Sequence, residues 1–219
     1  MVKVLFVCTG NTCRSPMAEA LLKKAAQEEN LSIEVRSAGV AAGTGSAASQ
    51  FAVNVLEDWE IDHSMHRSQP VSKELLHWAD LVLTMTEGHR QWVVQQYPIH
   101  MEKIHTLGNW VKRRQRNEML ERLNKLSAEL ETRRALLRGA RRNTESRKQM
   151  VEELNNLEKE KKSLEQGIFD IEGDVKDPFG GSLEDYRLCA AELAELIQEM
   201  VQEWKEEQGF GHGTRDDGE

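Results

Sequence analysis

In the stretch FVCTGNTCRSPMAEAL, Phe6 to Leu21, a thiol at Cys8 is followed six positions later by a guanidinium at Arg14. A thiolate is a nucleophile for phosphorus, and the planar fork of an arginine suits two oxygens of a phosphoryl group. If the stretch is a turn leading into a helix, Thr9, Gly10, Asn11, Thr12 and Cys13 contribute unpaired backbone N–H groups, and the helix dipole adds positive potential. The same field favours the anionic form of Cys8. One turn could then hold a phosphoryl group and attack it. The spacing alone is a weak motif, and its weight comes from the segments on either side. The Gly-Lys-Ser/Thr ending of a nucleotide-binding loop is absent.

Such a turn needs a strand before it and a helix after it. Val2 to Val7 read as a short buried strand, apolar and β-branched, bounded by Thr9, Gly10 and Asn11. Ser15 reads as an N-cap with Pro16 at the first helical position, followed by a stripe of Met17, Leu21 and Leu22. IEVRSAG from Ile33, ADLVLTM from Ala79 and KIHTL from Lys103 read as three more strands. Helical patterns run over Ala47 to Glu57, Val71 to Trp78 and Glu87 to Tyr97. This alternation predicts an α/β fold: a central parallel four-stranded sheet with helices on both faces, binding its ligand at the carboxyl ends of the strands. Cys8 stands at the end of the first.

Beyond residue 112 the pattern changes. Gly and Pro nearly vanish, and Met119, Leu123, Leu126, Leu130 and Leu137 follow coiled-coil spacing. After RGARRNTES the stripe resumes at Met150, Leu154, Leu157, Leu164 and Ile168. Two arms, each about 35 Å long if helical, predict an inserted antiparallel hairpin that ends at Gly167. The loop DVKDPFGGS follows, then an amphipathic helix over Leu183 to Glu206. The expected organisation is a phosphate-binding domain over residues 1–111 and 167–207, the hairpin over 112–166, and a disordered tail over 208–219.

The 219-residue chain carries a net charge of −8, which gives no whole-chain case for nucleic-acid binding. Lys112 to Gln166 holds sixteen Lys and Arg against ten Asp and Glu, a net +6 that leaves the rest at −14. The three cysteines, Cys8, Cys13 and Cys189, make no disulfide framework. With no signal-peptide cleavage site and no apolar stretch of transmembrane length, a reducing cytoplasm and no membrane contact are expected. His63 and His66 lack zinc-site spacing, and the chemistry calls for no metal or cofactor.

VCTGNTCRSPMAEAL resembles the signature loop of the low-molecular-weight protein tyrosine phosphatases, and DPFGG, Asp177 to Gly181, resembles that family's acid loop. VRSAG after the second strand fits as well, and the hairpin falls outside the resemblance. It implies a cysteine-dependent phosphatase acting on phosphorylated proteins. Cys8 would be the nucleophile, Arg14 the phosphate clamp and Asp177 the general acid and then base. Ser15 would stabilise the thiolate, and Asn11, Ser37 and His66 would brace the loop. Asp174 is the rival acid and reads as a solvated loop charge.

Thr12 stands where the tyrosine phosphatases usually carry a bulkier aliphatic residue, and Phe179 is followed by glycines where they tend to place paired aromatics. Both features resemble the protein arginine phosphatases. A hydroxyl at Thr12 makes the rim narrower or more polar, and a lone Phe179 leaves room for a guanidinium to stack. Phosphoarginine is the expected substrate, with phosphotyrosine as the alternative on the same fold. Arsenate reductases share the scaffold but relay electrons through mid-chain cysteines, absent between Cys13 and Cys189. A non-catalytic coiled-coil module is the non-enzymatic alternative. Cys13 either packs under the loop or forms a reversible disulfide with Cys8. The hairpin is either a tolerated insertion or an arm for a protein partner or self-association.

Overall fold

The computed structural model describes residues 1–139, 145–169 and 173–210. They fall into two compact units, one within Met1–Val111 and Gly173–Glu219, the other within Lys112–Glu172.

The first unit is built on four parallel strands, β1 (Val2–Cys8), β2 (Ile33–Gly39), β3 (Leu81–Thr84) and β4 (Ile104–Thr106), in the order β2-β1-β3-β4. The apolar run of β1 follows from its central place. Val4, Phe6 and Cys8 face a layer formed by α1 (Arg14–Glu28), α2 (Gln50–Glu57) and α8 (Leu183–Phe210), through Met17, Leu22, Leu56, Leu193 and Ile197. Leu5 and Val7 face the other layer, α3 (Lys73–Trp78) and α4 (Glu87–Gln96), through Leu75, Leu76 and Val93. A strand buried on both faces has no reason to alternate with polar residues. Ser72 and Thr86 cap α3 and α4 by accepting from Leu75 N and His89 N.

The expected four-stranded parallel sheet and its covering helices are present, with differences in detail. Two helices start later than their apolar patterns do, at Gln50 rather than Ala47 and at Lys73 rather than Val71. Ser49 and Ser72 stand as their N-caps. A 3-10 turn over Pro98–Lys103 and a short helix α5 (Leu107–Val111) flank β4, both too brief to leave a periodic signature. Ser15 does not cap α1. That helix begins at Arg14, two residues before the expected Pro16, after Cys13 and with no side-chain cap bond; the Ser15 hydroxyl is spent on the site below. The backbone of α8 stays helical to Phe210, past the boundary expected near residue 207. The tail over 211–219 lies outside the described residues.

The second unit pairs α6 (Arg113–Gly139) with α7 (Glu145–Phe169), which continues two residues past Gly167. Leu126, Leu130 and Leu154 are buried, and the remaining members of the expected stripe are half-buried. Arg122 pairs with Glu160 (2.5 Å), and Arg133, farther along α6, pairs with Glu153, earlier in α7, which makes the two helices antiparallel; Arg134–Glu158 (2.9 Å) is a third ion pair between them. Each pair is exposed, so pairing rests mainly on the leucines. The polar turn between the arms, 140–144, lies outside the described residues.

The carboxyl end of the sheet holds the Cys8 turn. Three of its carbonyls point outward, each taken by a neighbouring backbone amide: Val40 N donates to Cys8 O (2.9 Å), Ala41 N to Thr9 O (2.9 Å) and Ser49 N to Thr12 O (2.8 Å). Gly39 permits this crossing, since a Cβ there would lie 2.5 Å from Thr9 O and 2.9 Å from Asn11 N. Both are backbone atoms and cannot swing aside. Gly39→Ala should cost about 1–3 kcal/mol by urea denaturation and lower turnover at the same time. An unchanged midpoint would show that the loop gives way freely.

Candidate active site

The Cys8 sulfur, at the tip of β1, is buried. It lies 3.3 Å from the Asn11 backbone N–H, which donates to it, and 3.0 Å from Ser15 Oγ. The fully buried Asn11 adopts the left-handed conformation, φ 54°, which turns its amide toward the sulfur. Its side chain holds that posture: Nδ2 donates to Ser15 Oγ (3.0 Å) and Ser37 Oγ (2.8 Å), and Oδ1 accepts from Gln69 N (2.9 Å). His66 Nε2 bonds to Asn11 O at 2.9 Å. Ser37 Oγ in turn donates to Glu19 Oε2 at 2.5 Å. Asn11, Ser15, Ser37 and His66 thus meet in one network around the nucleophile candidate.

Arg14 is 3% exposed, yet its guanidinium is incompletely satisfied. Nη1 donates to Val175 O (3.2 Å), and Nη2 to Asp177 Oδ2 (2.6 Å) and Thr9 Oγ1 (3.5 Å). Nε is buried with no hydrogen-bond partner among the described residues. A buried arginine with an unused donor beside a carboxylate is prepared for an anion.

Asp177 arrives from 163 residues away in sequence on a loop pinned by Val175, whose N–H donates to Met85 O at 2.7 Å just past β3. Its other oxygen accepts from Phe179 N at 3.1 Å, and its side chain is 47% exposed, free to leave Arg14. Asp174 instead accepts from Glu87 N at 2.7 Å at the start of α4. It braces the loop from outside, and the carboxylate at the cavity is Asp177.

Cys8, Thr9, Gly10, Thr12, Cys13, Arg14, Asp177 and Phe179 line a cavity of about 160 Å³. That is below the ~300–1,000 Å³ of drug-sized pockets and suits a phosphoryl group on a narrow stem. Phe179 is 77% exposed and forms an unfilled wall. Cys13 is buried with its sulfur 3.1 Å from Tyr186 Oη, and all three cysteines are free thiols. Cys189 sits in the core, where burial pushes its pKa up to about 12.

Besides Glu19, the site holds Tyr186 and His89, which the sequence alone does not single out. Tyr186, on the first turn of α8, accepts from Ser49 Oγ at 3.1 Å, and its pKa is raised to about 12, chiefly by burial and then by the Cys13 contact. His89, in the first turn of α4, bonds through Nε2 to Thr9 Oγ1 and through Nδ1 to Thr86 Oγ1, both at 2.8 Å. Because Thr9 Oγ1 accepts from Arg14, its own proton can go to His89 Nε2, leaving the Nδ1–H to donate to Thr86. The signal for His89 was the cap Thr86 directly after a strand, which aims the first turn of the next helix at the sheet's carboxyl end.

The family model described as low molecular weight phosphotyrosine protein phosphatase matches residues 3–162. The chain belongs to this family. It is a cysteine-dependent protein phosphatase. It is 33% identical to the protein-arginine-phosphatase of Bacillus subtilis (strain 168), over 93% of this chain and 97% of that one. Its fold matches the YwlE arginine phosphatase from Geobacillus stearothermophilus with a TM-score of 0.66 at 32% identity, covering 98% of this chain and 100% of that one. A YwlE cysteine-to-serine mutant with a phosphorylated active site serine matches with a TM-score of 0.65 at 32% identity, over 93% of this chain and 96% of that one.

Burial, followed by the positive charge of Arg14, lowers the pKa of His89 from 6.5 to about 4. The folded phosphatase therefore resists a proton that the unfolded chain accepts. The corresponding stability is present above pH 6.5 and is lost as pH falls toward 4. His89→Asn should flatten the stability-against-pH curve across that interval in denaturant titrations. An unaltered slope would assign the acid sensitivity to other groups.

Proposed function

We propose that the protein is an arginine phosphatase that hydrolyses phosphoarginine in proteins through a phosphocysteine intermediate. The observation that carries this reading is the cavity itself: Cys8 and Arg14 share it with the hydroxyl-bearing Thr12 and a lone, exposed Phe179. The near full-length likeness to protein-arginine-phosphatases supports it. Phosphate oxygens would take Arg14 Nε and Nη2 and the loop amides, displacing Asp177 from the guanidinium. Phe179 would lie against the flat substrate guanidinium.

The Cys8 thiolate would then attack phosphorus in line. The sulfur–phosphorus bond forms as the phosphorus–nitrogen bond breaks, and Asp177 gives its proton to the leaving nitrogen. In the second step Asp177, now a carboxylate, takes a proton from the water that attacks phosphocysteine, releasing phosphate and restoring the thiolate. Asn11 N–H and Ser15 Oγ stand where they can stabilise that sulfur anion in both steps. The mutant relative with phosphate on its active-site serine fits a phosphoryl group carried by the nucleophile's position. A free thiol as nucleophile supports a reducing compartment, with the cytoplasm as the proposed location.

The test is kcat/KM on phosphoarginine and phosphotyrosine peptides side by side, with Cys8→Ser as the blank. At least a tenfold preference for phosphoarginine is expected, about 1.4 kcal/mol in transition-state binding. Thr12→Ile should shift the ratio toward phosphotyrosine. The reverse preference in the natural enzyme would retain the mechanism and make it a tyrosine phosphatase.

The hairpin is proposed to be an accessory arm, not part of the catalytic unit. Its apolar stripes are occupied in pairing α6 with α7, and its outward residues are largely Lys, Arg and Glu. A docking role would therefore rest on charge, with an acidic protein segment as partner. Replacing residues 113–169 with a short Gly-Ser linker should leave kcat on para-nitrophenyl phosphate within about twofold, since long excursions between fixed anchors add little to folding cost. Loss of turnover would show that the arm organises the site.

A further inference from the structure

The geometry points to a site for a divalent transition-metal ion of borderline softness, Zn²⁺ above all, held by Glu19, His63 and His66 next to the phosphate loop. One ligand atom from each of the three lies within 4.8 Å of the others. They form a His₂Glu set, a donor group that binds Zn²⁺ with a fourth position left for water. The sequence gives little warning, because Glu19 lies in α1 and the histidines follow α2.

The hydrogen bonds already select the ligating atoms. A carbonyl only accepts, so the 2.9 Å contact between His66 Nε2 and Asn11 O puts a proton on Nε2, and in the neutral imidazole Nδ1 is the nitrogen with a free lone pair. Metal-bound imidazoles usually show this arrangement, one nitrogen on the ion and the other donating to a carbonyl or carboxylate. His63 Nε2 is buried with no hydrogen-bond partner among the described residues, and its ring stacks on His66 with centroids 5.0 Å apart. Both Glu19 oxygens are committed, to Lys23 Nζ and Ser37 Oγ, each at 2.5 Å. The Lys23 side chain is half-exposed and can swing away.

A cavity of about 450 Å³ lined by Lys23, Asp62 and His63, among others, gives the ion a route in. Ligands about 2.1 Å from a tetrahedral ion stand about 3.4 Å apart, so the cluster must contract. The turn carrying His63 has exposed neighbours in Asp62, Ser64 and Met65 and can move inward. An ion there competes with Ser37 for Glu19, and Ser37 receives the Asn11 side chain that shapes the Cys8 turn. Occupancy therefore slows turnover, a consequence that rests on the phosphatase reading.

Cobalt titration of the metal-free, full-length protein tests the site, because Co²⁺ reports its ligands in its spectrum. A single equivalent should give visible ligand-field bands without the near-ultraviolet thiolate-to-cobalt band that Cys8 would produce, and Zn²⁺ should abolish them. His63→Gln, shown to be folded by its metal-free turnover of para-nitrophenyl phosphate, should bind more than about a hundredfold more weakly, exceeding the usual effect of losing an outer-shell partner. Absence of the bands in the natural protein, a thiolate band, or unchanged affinity in His63→Gln would each overturn the site. If His63→Gln misfolds, the natural protein's spectrum still decides. Zn²⁺ at site-filling concentration should lower kcat of the natural enzyme and spare His63→Gln. Equal inhibition of both would overturn the coupling while leaving the phosphatase assignment intact.

Discussion

The posture of Asn11 is the constraint on which the site depends. Its N–H goes to the Cys8 sulfur, its carbonyl to His66, and its side chain to Ser15, Ser37 and the Gln69 amide. Five bonds from one buried residue tie together the ends of β1 and β2, the start of α1 and the loop before α3. A left-handed asparagine carries a conformational cost that a fully satisfied buried network can offset. The payoff is directional. With three loop carbonyls drawn outward by Val40, Ala41 and Ser49, the amides are free to face the cavity.

Charge is handled with similar economy. Arg14 is buried but never fully paired: the backbone oxygen of Val175, the hydroxyl of Thr9 and the half-exposed Asp177 share it, and Nε is left over. A buried cation held this way is neither stranded at high cost nor locked in a complete salt bridge. A dianionic phosphoryl group is a better partner than one half-exposed carboxylate, and in the proposed mechanism it takes the place of Asp177 on the guanidinium.

Much of this was legible in the chain because it is local. The Cys8 turn, the strand before it and the helix after it lie within Val2–Glu28, and the sheet follows from strand and helix alternation. Asp177 and Phe179, far along the sequence, were reachable only through resemblance, since an Asp-Pro turn has no periodic signature. Ser15 shows how local rules mislead: its type and place suit a cap, but its hydroxyl is more useful beside a thiol. His89, Tyr186 and Glu19 went unread because each acts across a packing interface, through bonds that depend on which helix lies on which face. No spacing encodes that.

The order of the elements also sets when the enzyme can exist during its own synthesis. One face of β1 packs against α1 and α8, so the core cannot close until α8 has emerged. The hairpin, with contacts local to itself, can form earlier, while the strands still wait for their last helix. Cys8 is made before the hairpin, and Asp177 and the tyrosine beside Cys13 come after it. A ribosome-bound chain from which α8 has yet to emerge thus holds a thiol with no completed site around it.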